Sequence, residues 1–326
     1  MPAVPLKIVF HGANASAFEP GFAGLLAGAH HVACLPDALA APGDIAMFRD
    51  ADVIVGIALT ALHPKPEKLR LYHVPGAGFD GIDRTCLPKA AALCNCFGHD
   101  PAIAEYVMTA LLLRHVPLPA ADRDLRQGKW TYWAGAPGAL RTELGSRTIG
   151  LLGFGHIGKA IAAKAKAFGM RVTVANRTPV ATGPLVDQAF GLDRLHAFMA
   201  SADYIVASLP FLPATKGLID AAALAAMRPS GVIVNVGRGP VIEEAALYAA
   251  LKERRIGGAI IDTWYVYPGP ADMAPHPGTL PFHELDNCLL TPHMSGWTEG
   301  TVRRRQQTIA DNVLRLARGE PQANVV

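Results

Sequence analysis

Short Val- and Ile-rich runs recur along the chain at Leu6–Phe10, Val53–Ile57, Ile149–Leu152, Arg171–Ala175, Tyr204–Ser208, Val232–Val236, Ala259–Asp262 and Cys288–Leu290, flanked by Gly, Pro or Asp. Short apolar runs without polar alternation read as strands buried on both faces. Helical spacing fills the gaps at Ile157–Phe168, Leu192–Met199 and Glu243–Arg254. A strand–helix–strand cadence calls for parallel pairing, because the helix carries the chain back to the end of the sheet where the strand began. The expected class is α/β, with doubly wound sheets and right-handed crossovers.

Two stretches break the cadence. Residues 101–128 read as one long helix interrupted near Pro117 and Pro119, followed by a loop from Gly128 to Gly145 rich in Gly, Trp and Tyr. A second long amphipathic helix is expected from Thr298 to Gly319. A chain of 326 residues has room for two domains. The simplest arrangement is discontinuous, with residues 1–99 and 296–326 forming one domain around an inserted domain of residues 100–295.

Composition excludes several classes of function. Hydrophobic residues make up 51% and charged residues 17%, so the chain is not a disordered or acidic-tail protein. Lys plus Arg number 30 and Asp plus Glu 27, a net charge of +3, too balanced to point to nucleic acid or an anionic membrane. No apolar run reaches the roughly 18 residues of a membrane span, and Met1–Phe10 lacks the basic region and cleavage site of a signal peptide. A cytoplasmic protein is expected. The five cysteines, Cys34, Cys86, Cys94, Cys96 and Cys288, have neither disulfide nor zinc spacing. They are expected to be free thiols, with no metal site.

Gly153-Phe154-Gly155-His156-Ile157-Gly158 follows the strand Ile149–Leu152 and opens a helix. Gly153 permits the tight turn, Gly155 lets a pyrophosphate approach the backbone, and Gly158 lets helix and strand pack closely. That context points to a dinucleotide. The next strand ends at Asn176-Arg177-Thr178, where an NAD-specific site would place an acid on the ribose hydroxyls. Here the acid is absent and a guanidinium follows, which suits a 2′-phosphate. NADP(H) is therefore expected as the preferred cofactor, with NAD(H) as the alternative if Arg177 only stacks on adenine.

Two polar residues sit where strands end. Asn235-Val236-Gly237-Arg238-Gly239 follows Val232–Val234, and the flanking glycines can aim the Arg238 guanidinium at a carboxylate. Thr291-Pro-His293-Met-Ser295-Gly296 follows Cys288–Leu290, and His293 is a natural proton donor near neutral pH. The other histidines receive no role, although His99 is a weak candidate for lining the site.

These three motifs, in this order and spacing, resemble the D-isomer-specific 2-hydroxyacid dehydrogenase family. Val74-Pro-Gly76-Ala77-Gly78-Phe-Asp-Gly-Ile-Asp83 resembles the family's substrate-carboxylate loop, and Ala104-Glu105-Tyr106 the start of its interdomain helix. Leu209-Pro210 and Thr215 resemble the strand end beside the nicotinamide. The resemblance implies a Rossmann nucleotide-binding domain inserted in a discontinuous flavodoxin-like substrate domain. It also implies a homodimer formed through the nucleotide domain, with the 128–145 loop as its arm. The implied reaction is reduction of a small 2-keto acid of glyoxylate or hydroxypyruvate type to the D-2-hydroxy acid. Arg238 would bind and polarise the keto acid, His293 would protonate its carbonyl oxygen, and the N–H groups of the Gly76–Gly78 loop would hold its carboxylate. Asp262 matches an Asp near the nicotinamide carboxamide.

One position departs from the pattern. The family's Glu that pairs with the catalytic histidine is replaced by Tyr267. Three readings stand: Tyr267 replaces the acid, a carboxylate such as Glu284 or Asp286 reaches in, or activity is lost. Competing functions are a formate- or phosphite-type anion dehydrogenase and a dinucleotide-sensing protein with a vestigial site. Trp264, Tyr265, Phe79 and Trp297 are expected either to shape a pocket or to pack domains together.

Overall fold

The computed structural model describes residues 5–135, 138, 140–269 and 272–326. The chain forms two compact units, one of residues 1–98 with 298–326 and one of residues 99–297.

In the first unit, β1 (Lys7–His11), the short α1 (Ala13–Ser16), β2 (His31–Leu35), α2 (Pro42–Asp50), β3 (Val53–Val55), β4 (Leu71–His73) and β5 (Ala92–Cys94) follow in sequence. Their sheet is parallel throughout in the order β2-β1-β3-β4-β5, the flavodoxin-like order. Successive residues alternate between two cores. Ile8, Phe10, Val53 and Val55 pack on one face, and Val9, Ile54 and Tyr72 on the other with Phe48 of α2.

The second unit contains α3 (Asp100–His115), α4 (Leu118–Arg126), β6 (Thr148–Leu152), α5 (His156–Ala167), β7 (Arg171–Asn176), β8 (Gln188–Gly191), α6 (Leu195–Ser201), β9 (Tyr204–Ala207), α7 (Ala221–Ala225), β10 (Val232–Asn235), α8 (Glu244–Lys252), β11 (Gly258–Ile261) and β12 (Cys288–Leu290). Its sheet runs β12-β11-β10-β9-β6-β7-β8, a Rossmann order with one added strand, and every pair is parallel. Period-two alternation again divides the core. Ile149, Leu151, Val234 and Ile260 meet α3 and α5, whereas Leu152, Ile233 and Ile261 meet α6, α7 and α8. The final helix, α9 (Glu299–Arg318), belongs to the first unit, where Ile309, Ala310, Val313 and Leu316 cover one face of the five-stranded sheet.

Four strands carry no clear mark in the sequence. β4 and β5 are three residues long, and β2 and β8 are sheet edges whose partly exposed residues break the apolar run. All five cysteines are free, and Cys94 and Cys96 are buried. Among the described residues no helix is long and apolar enough to cross a membrane.

Candidate active site

One lateral row of the seven-stranded sheet positions the second unit's motifs. Ala175, Leu152, Ala207, Asn235, Ile261 and Leu290 are successive register partners across β7, β6, β9, β10, β11 and β12. Each strand leaves the sheet just after this row, at the carboxyl edge where open α/β sheets bind ligands. Gly153 is one residue beyond it on β6, and Asn176 one beyond on β7. Arg238 and His293 are each three residues beyond it, on β10 and β12, strands separated by β11 and so by roughly 10 Å.

The glycine loop is built as the motif requires. Gly153 has φ 99°, and a Cβ there would press on Leu209 and Ser208 at 3.0–3.1 Å. A Cβ on Gly158 would overlap the Gly153 carbonyl oxygen, so helix α5 can start this close to β6 only with glycine at that position. At Gly155 a Cβ would meet nothing within 4 Å. The protein's own packing does not demand that glycine; it leaves space in front of the backbone at the start of α5. Gly155 is the N-cap and gives α5 no side-chain cap, and His156 and Ile157 follow as its first turn. First-turn N–H groups beside an open cradle fit a pyrophosphate. Asn176, in the place of an acid, accepts the Phe154 N–H at 3.2 Å and donates to the Thr178 carbonyl at 2.9 Å. Arg177 and Thr178 are exposed beside it.

Leu209, Pro210 and Thr215 form the loop after β9. Thr215 Oγ1 donates to the Pro210 carbonyl at 2.7 Å and closes the loop on itself. The next loop presses against it, since a Cβ on Gly237 would come within 2.6 Å of the Leu209 carbonyl oxygen. Val236 is buried there. Asn235, also buried, clamps the Arg238 turn from both sides: its Oδ1 accepts the Gly237 N–H at 3.2 Å and its Nδ2 donates to the Arg238 carbonyl at 3.1 Å. Arg238 is half-buried, and its guanidinium donates to the Gly237 carbonyl at 2.9 Å.

His293 is exposed and has φ 55°, a left-handed conformation costly for a non-glycine residue. Asp262 holds the loop in that shape. Its carboxylate is fully buried and accepts from Thr291 Oγ1 at 2.6 Å, from Met294 N–H at 2.9 Å and from Ser295 N–H at 3.0 Å. Thr291 Oγ1 also lies 2.7 Å from the Tyr106 hydroxyl, and because Thr291 donates to Asp262, Tyr106 donates to Thr291. Burial pushes the Tyr106 phenol up to about 12. Gly296 packs on His99 and Ile103, where a Cβ would meet His99 Cβ at 3.3 Å. Asp262 thus faces inward, onto the frame of the His293 loop.

Of the three candidates for the histidine's partner, Tyr267 is in hydrogen-bond contact with it. Tyr267 Oη lies 2.9 Å from His293 Nδ1 and accepts the Trp264 N–H at 3.1 Å. Asp286 is engaged by Arg254 at 2.6 Å, and Glu284 is exposed. A hydroxyl can donate to a neutral Nδ1 or accept from a protonated one, so Tyr267 orients the ring in both protonation states. A carboxylate would favour only the protonated nitrogen.

Trp264 and Tyr265 pack within the second unit. Trp264 is buried and donates to the Thr291 carbonyl at 2.7 Å, Tyr265 donates to the Ile242 carbonyl at 3.0 Å, and both rings pack on Phe282. Burial raises the Tyr265 phenol strongly. Trp297 is exposed. Phe79 packs on the core of the first unit under the Arg84 guanidinium.

Gly76, Ala77 and Gly78 lie in the first unit, half-buried, just beyond β4. The sequence reading assigned no part to Asn235, Thr291 or Asn95. Each is a small polar residue at a strand end among apolar neighbours, the one signal that could have marked them.

The NAD-binding domain of D-isomer-specific 2-hydroxyacid dehydrogenases matches residues 108–295. A D-3-phosphoglycerate dehydrogenase of Methanocaldococcus jannaschii is 30% identical over 86% of this chain, and the chain spans about half of that relative, 52%. A glyoxylate reductase of Korarchaeum cryptofilum is 28% identical over 86% of this chain and 84% of its own. A crystal structure of a D-isomer-specific 2-hydroxyacid dehydrogenase from Xanthobacter autotrophicus, in complex with NADPH and MES, superposes with a TM-score of 0.80 at 27% identity, covering 99% of this chain and 98% of that one. Matched in profile over the Rossmann unit and in fold over nearly its whole length, the chain belongs to the D-isomer-specific 2-hydroxyacid dehydrogenase family.

Proposed function

We propose that the protein reduces a small 2-keto acid of glyoxylate or hydroxypyruvate type to the D-2-hydroxy acid, taking up a hydride from NADPH and one proton. The reading rests above all on the common row: Arg238 and His293 leave one sheet edge, each three residues past a residue in register with Ile261 of the strand between them, with Tyr267 bonded to the histidine. A glyoxylate reductase among the relatives and NADPH in a structural neighbour support it.

Residues 153–158 hold the diphosphate of the dinucleotide, Arg177 its 2′-phosphate, and the loops at Leu209–Thr215 and Val236–Gly237 border the nicotinamide. When bound, the dinucleotide supplies the hydride to the keto carbon. Arg238 binds the carboxylate and the carbonyl oxygen and stabilises the charge that develops there. His293 transfers a proton to that oxygen from Nε2, because Nδ1 faces the Tyr267 hydroxyl. The Ala77 and Gly78 N–H groups hold the substrate carboxylate as a nest of main-chain donors. Residues 1–98 with 298–326 form the substrate domain and residues 99–297 the nucleotide domain.

The neutral Tyr267 favours one second reading, oxidation of a one-carbon or inorganic anion such as formate or phosphite. A single assay separates the two. NADPH oxidation at 340 nm is followed on a panel of 2-keto acids, and NADP⁺ reduction on formate and phosphite. Turnover of keto acids, abolished in His293→Ala, is expected. NADPH binding with silence on every substrate would instead identify a dinucleotide sensor.

The protein is further proposed to act in the cytoplasm as a homodimer through the nucleotide domain, by way of the 128–145 arm. Trp130, Trp133 and Leu140 of that arm are 67%, 56% and 98% exposed, and its residues 136, 137 and 139 lie outside the described residues. Sedimentation of wild type and of a Trp130→Ser, Trp133→Ser variant tests the arm; a variant that stays dimeric would exclude it.

A further inference from the structure

The loop after β4 carries its chemistry on main-chain N–H groups, so the orientation of two peptide planes decides whether it holds an anion. A trans peptide sets its C=O and N–H on opposite sides, and the described chain has no cis peptide. The Gly76 carbonyl accepts the Cys96 N–H at 3.0 Å, which turns the Ala77 N–H away from residues 95–96. The Ala77 carbonyl accepts from Asn95 Nδ2 at 2.8 Å, which turns the Gly78 N–H away in the same manner. The first tie is main chain to main chain and survives a change of side chain. The second depends on Asn95 alone.

Asn95 is an expensive residue for its place. It stands between buried Cys94 and Cys96, is itself only 4% exposed, and its Oδ1 is buried with no partner among the described residues. An apolar side chain would avoid that unpaired oxygen. What an apolar side chain could not supply is the donor to Ala77. Asn95 is held in turn from its far side. Its N–H donates to the Asn324 carbonyl at 3.1 Å, Val326 N–H donates to the Leu93 carbonyl at 3.0 Å, and Cys94 and Val325 form an antiparallel bridge. Residues 324–326 thus run along the outer edge of β5. Asn312 of α9 clasps Ala323 through both its backbone groups and reaches His73 Nε2 at 3.0 Å, one residue before the loop begins.

We propose that Asn95 is a positioning residue for the substrate carboxylate: by drawing the Ala77 carbonyl inward it presents the Gly78 N–H, beside that of Ala77, as an anion-binding pair. This rests on the reading of Gly76–Gly78 as the carboxylate loop. The role acts on binding in ground and transition states alike, so it belongs in KM rather than kcat.

The test is steady-state kinetics of the full chain with NADPH and its best keto acid for Asn95→Ala, Asn95→Ser and Ala77→Pro, with the NADPH Kd and the melting temperature recorded for each. Asn95→Ala is expected to raise the keto-acid KM about tenfold or more, with kcat within about threefold and the NADPH Kd unchanged. Asn95→Ser keeps a donor on a shorter arm and should fall between Asn95→Ala and wild type. Ala77→Pro, which removes one of the N–H groups, should raise KM by itself. A purely structural role would lower the melting temperature without this selective rise in KM. An unchanged KM in Asn95→Ala alongside a raised KM in Ala77→Pro would overturn the role of Asn95 and leave the carboxylate loop standing. Unchanged KM in both would overturn the loop reading itself. If Asn95→Ala does not fold, Asn95→Ser decides by the same KM criterion.

Discussion

The Tyr267 hydroxyl stands 2.9 Å from His293 Nδ1 and is anchored on its other side by the Trp264 N–H. A neutral phenol here orients the imidazole but adds no charge to stabilise the imidazolium. Under the proposed reduction the imidazolium is the proton donor, so activity is expected to be lost as pH rises through its pKa. A carboxylate in place of the phenol favours the charged ring and raises that pKa. Tyr267→Glu should therefore move the alkaline limb of kcat/KM upward by about one pH unit, and Tyr267→Phe should lower kcat about tenfold by releasing the ring. Coincident pH–rate profiles for wild type and Tyr267→Glu would refute the coupling.

Two glycines of one motif should fail in different ways. Gly158→Ala forces a methyl group onto the Gly153 carbonyl, so both the melting temperature and dinucleotide affinity should fall. Gly155→Ala puts its methyl group into space that the protein leaves empty. Its melting temperature should match wild type while the NADPH Kd rises about tenfold or more, as expected if that space belongs to the pyrophosphate. Fluorescence titration and thermal melts separate the two.

Asp262 is expected to matter through the loop it frames. In Asp262→Asn the new amide can accept from only part of the set, and its NH₂ must confront the donor of Thr291, Met294 or Ser295. Loss of a buried charged acceptor costs about 2–3 kcal/mol, which a melt should register. Release of His293 from its left-handed conformation should lower kcat more than tenfold, on the order of the 1.4 kcal/mol that each factor of ten represents.

Cofactor choice should respond to Arg177. Arg177→Ala is expected to raise KM for NADPH about tenfold while changing that for NADH little, since only the 2′-phosphate loses a charged partner. The ratio of kcat/KM for the two dinucleotides reads this directly. A wild-type preference for NADH would contradict it.

His73 makes acid sensitivity measurable. It is fully buried, donates from Nδ1 to the Val74 carbonyl at 3.1 Å and faces Asn312 at Nε2. Burial lowers its pKa from 6.5 to about 4. The unfolded chain therefore binds the proton more readily, and the folded state loses stability as pH falls from about 6.5 toward about 4, by roughly 3 kcal/mol over the whole window. Urea midpoints should be flat above pH 7 and decline below 6.5, and the decline should be shallower in His73→Gln.

How far the site could be read from sequence follows the range of the interactions that form it. The glycine loop was legible because its requirements are local: a turn at Gly153 and a close approach at Gly158 need only residues a few positions apart. Arg238 and His293 were legible as strand-end polar residues among apolar runs. In sequence Trp264 and Tyr265 read equally as pocket or packing, because an aromatic residue near a strand end looks the same whether it lines a cavity or, as here, packs on Phe282. β4 and β5 were too short to carry a period, and the role of Asn95 depends on a residue eighteen positions away.

Periodicity and punctuation in the sequence are enough to decide that two parallel sheets form and where the glycine loop falls, since burial of alternate apolar residues and the conformational demands of glycine act along the chain. Which strand ends stand side by side, that Asp262 rather than solvent holds the His293 loop, and that a phenol meets the imidazole were decided only by the folded structure. Those contacts join residues 26 to 33 positions apart, and lateral register, a property of the sheet rather than of any one strand, is what brings them into range.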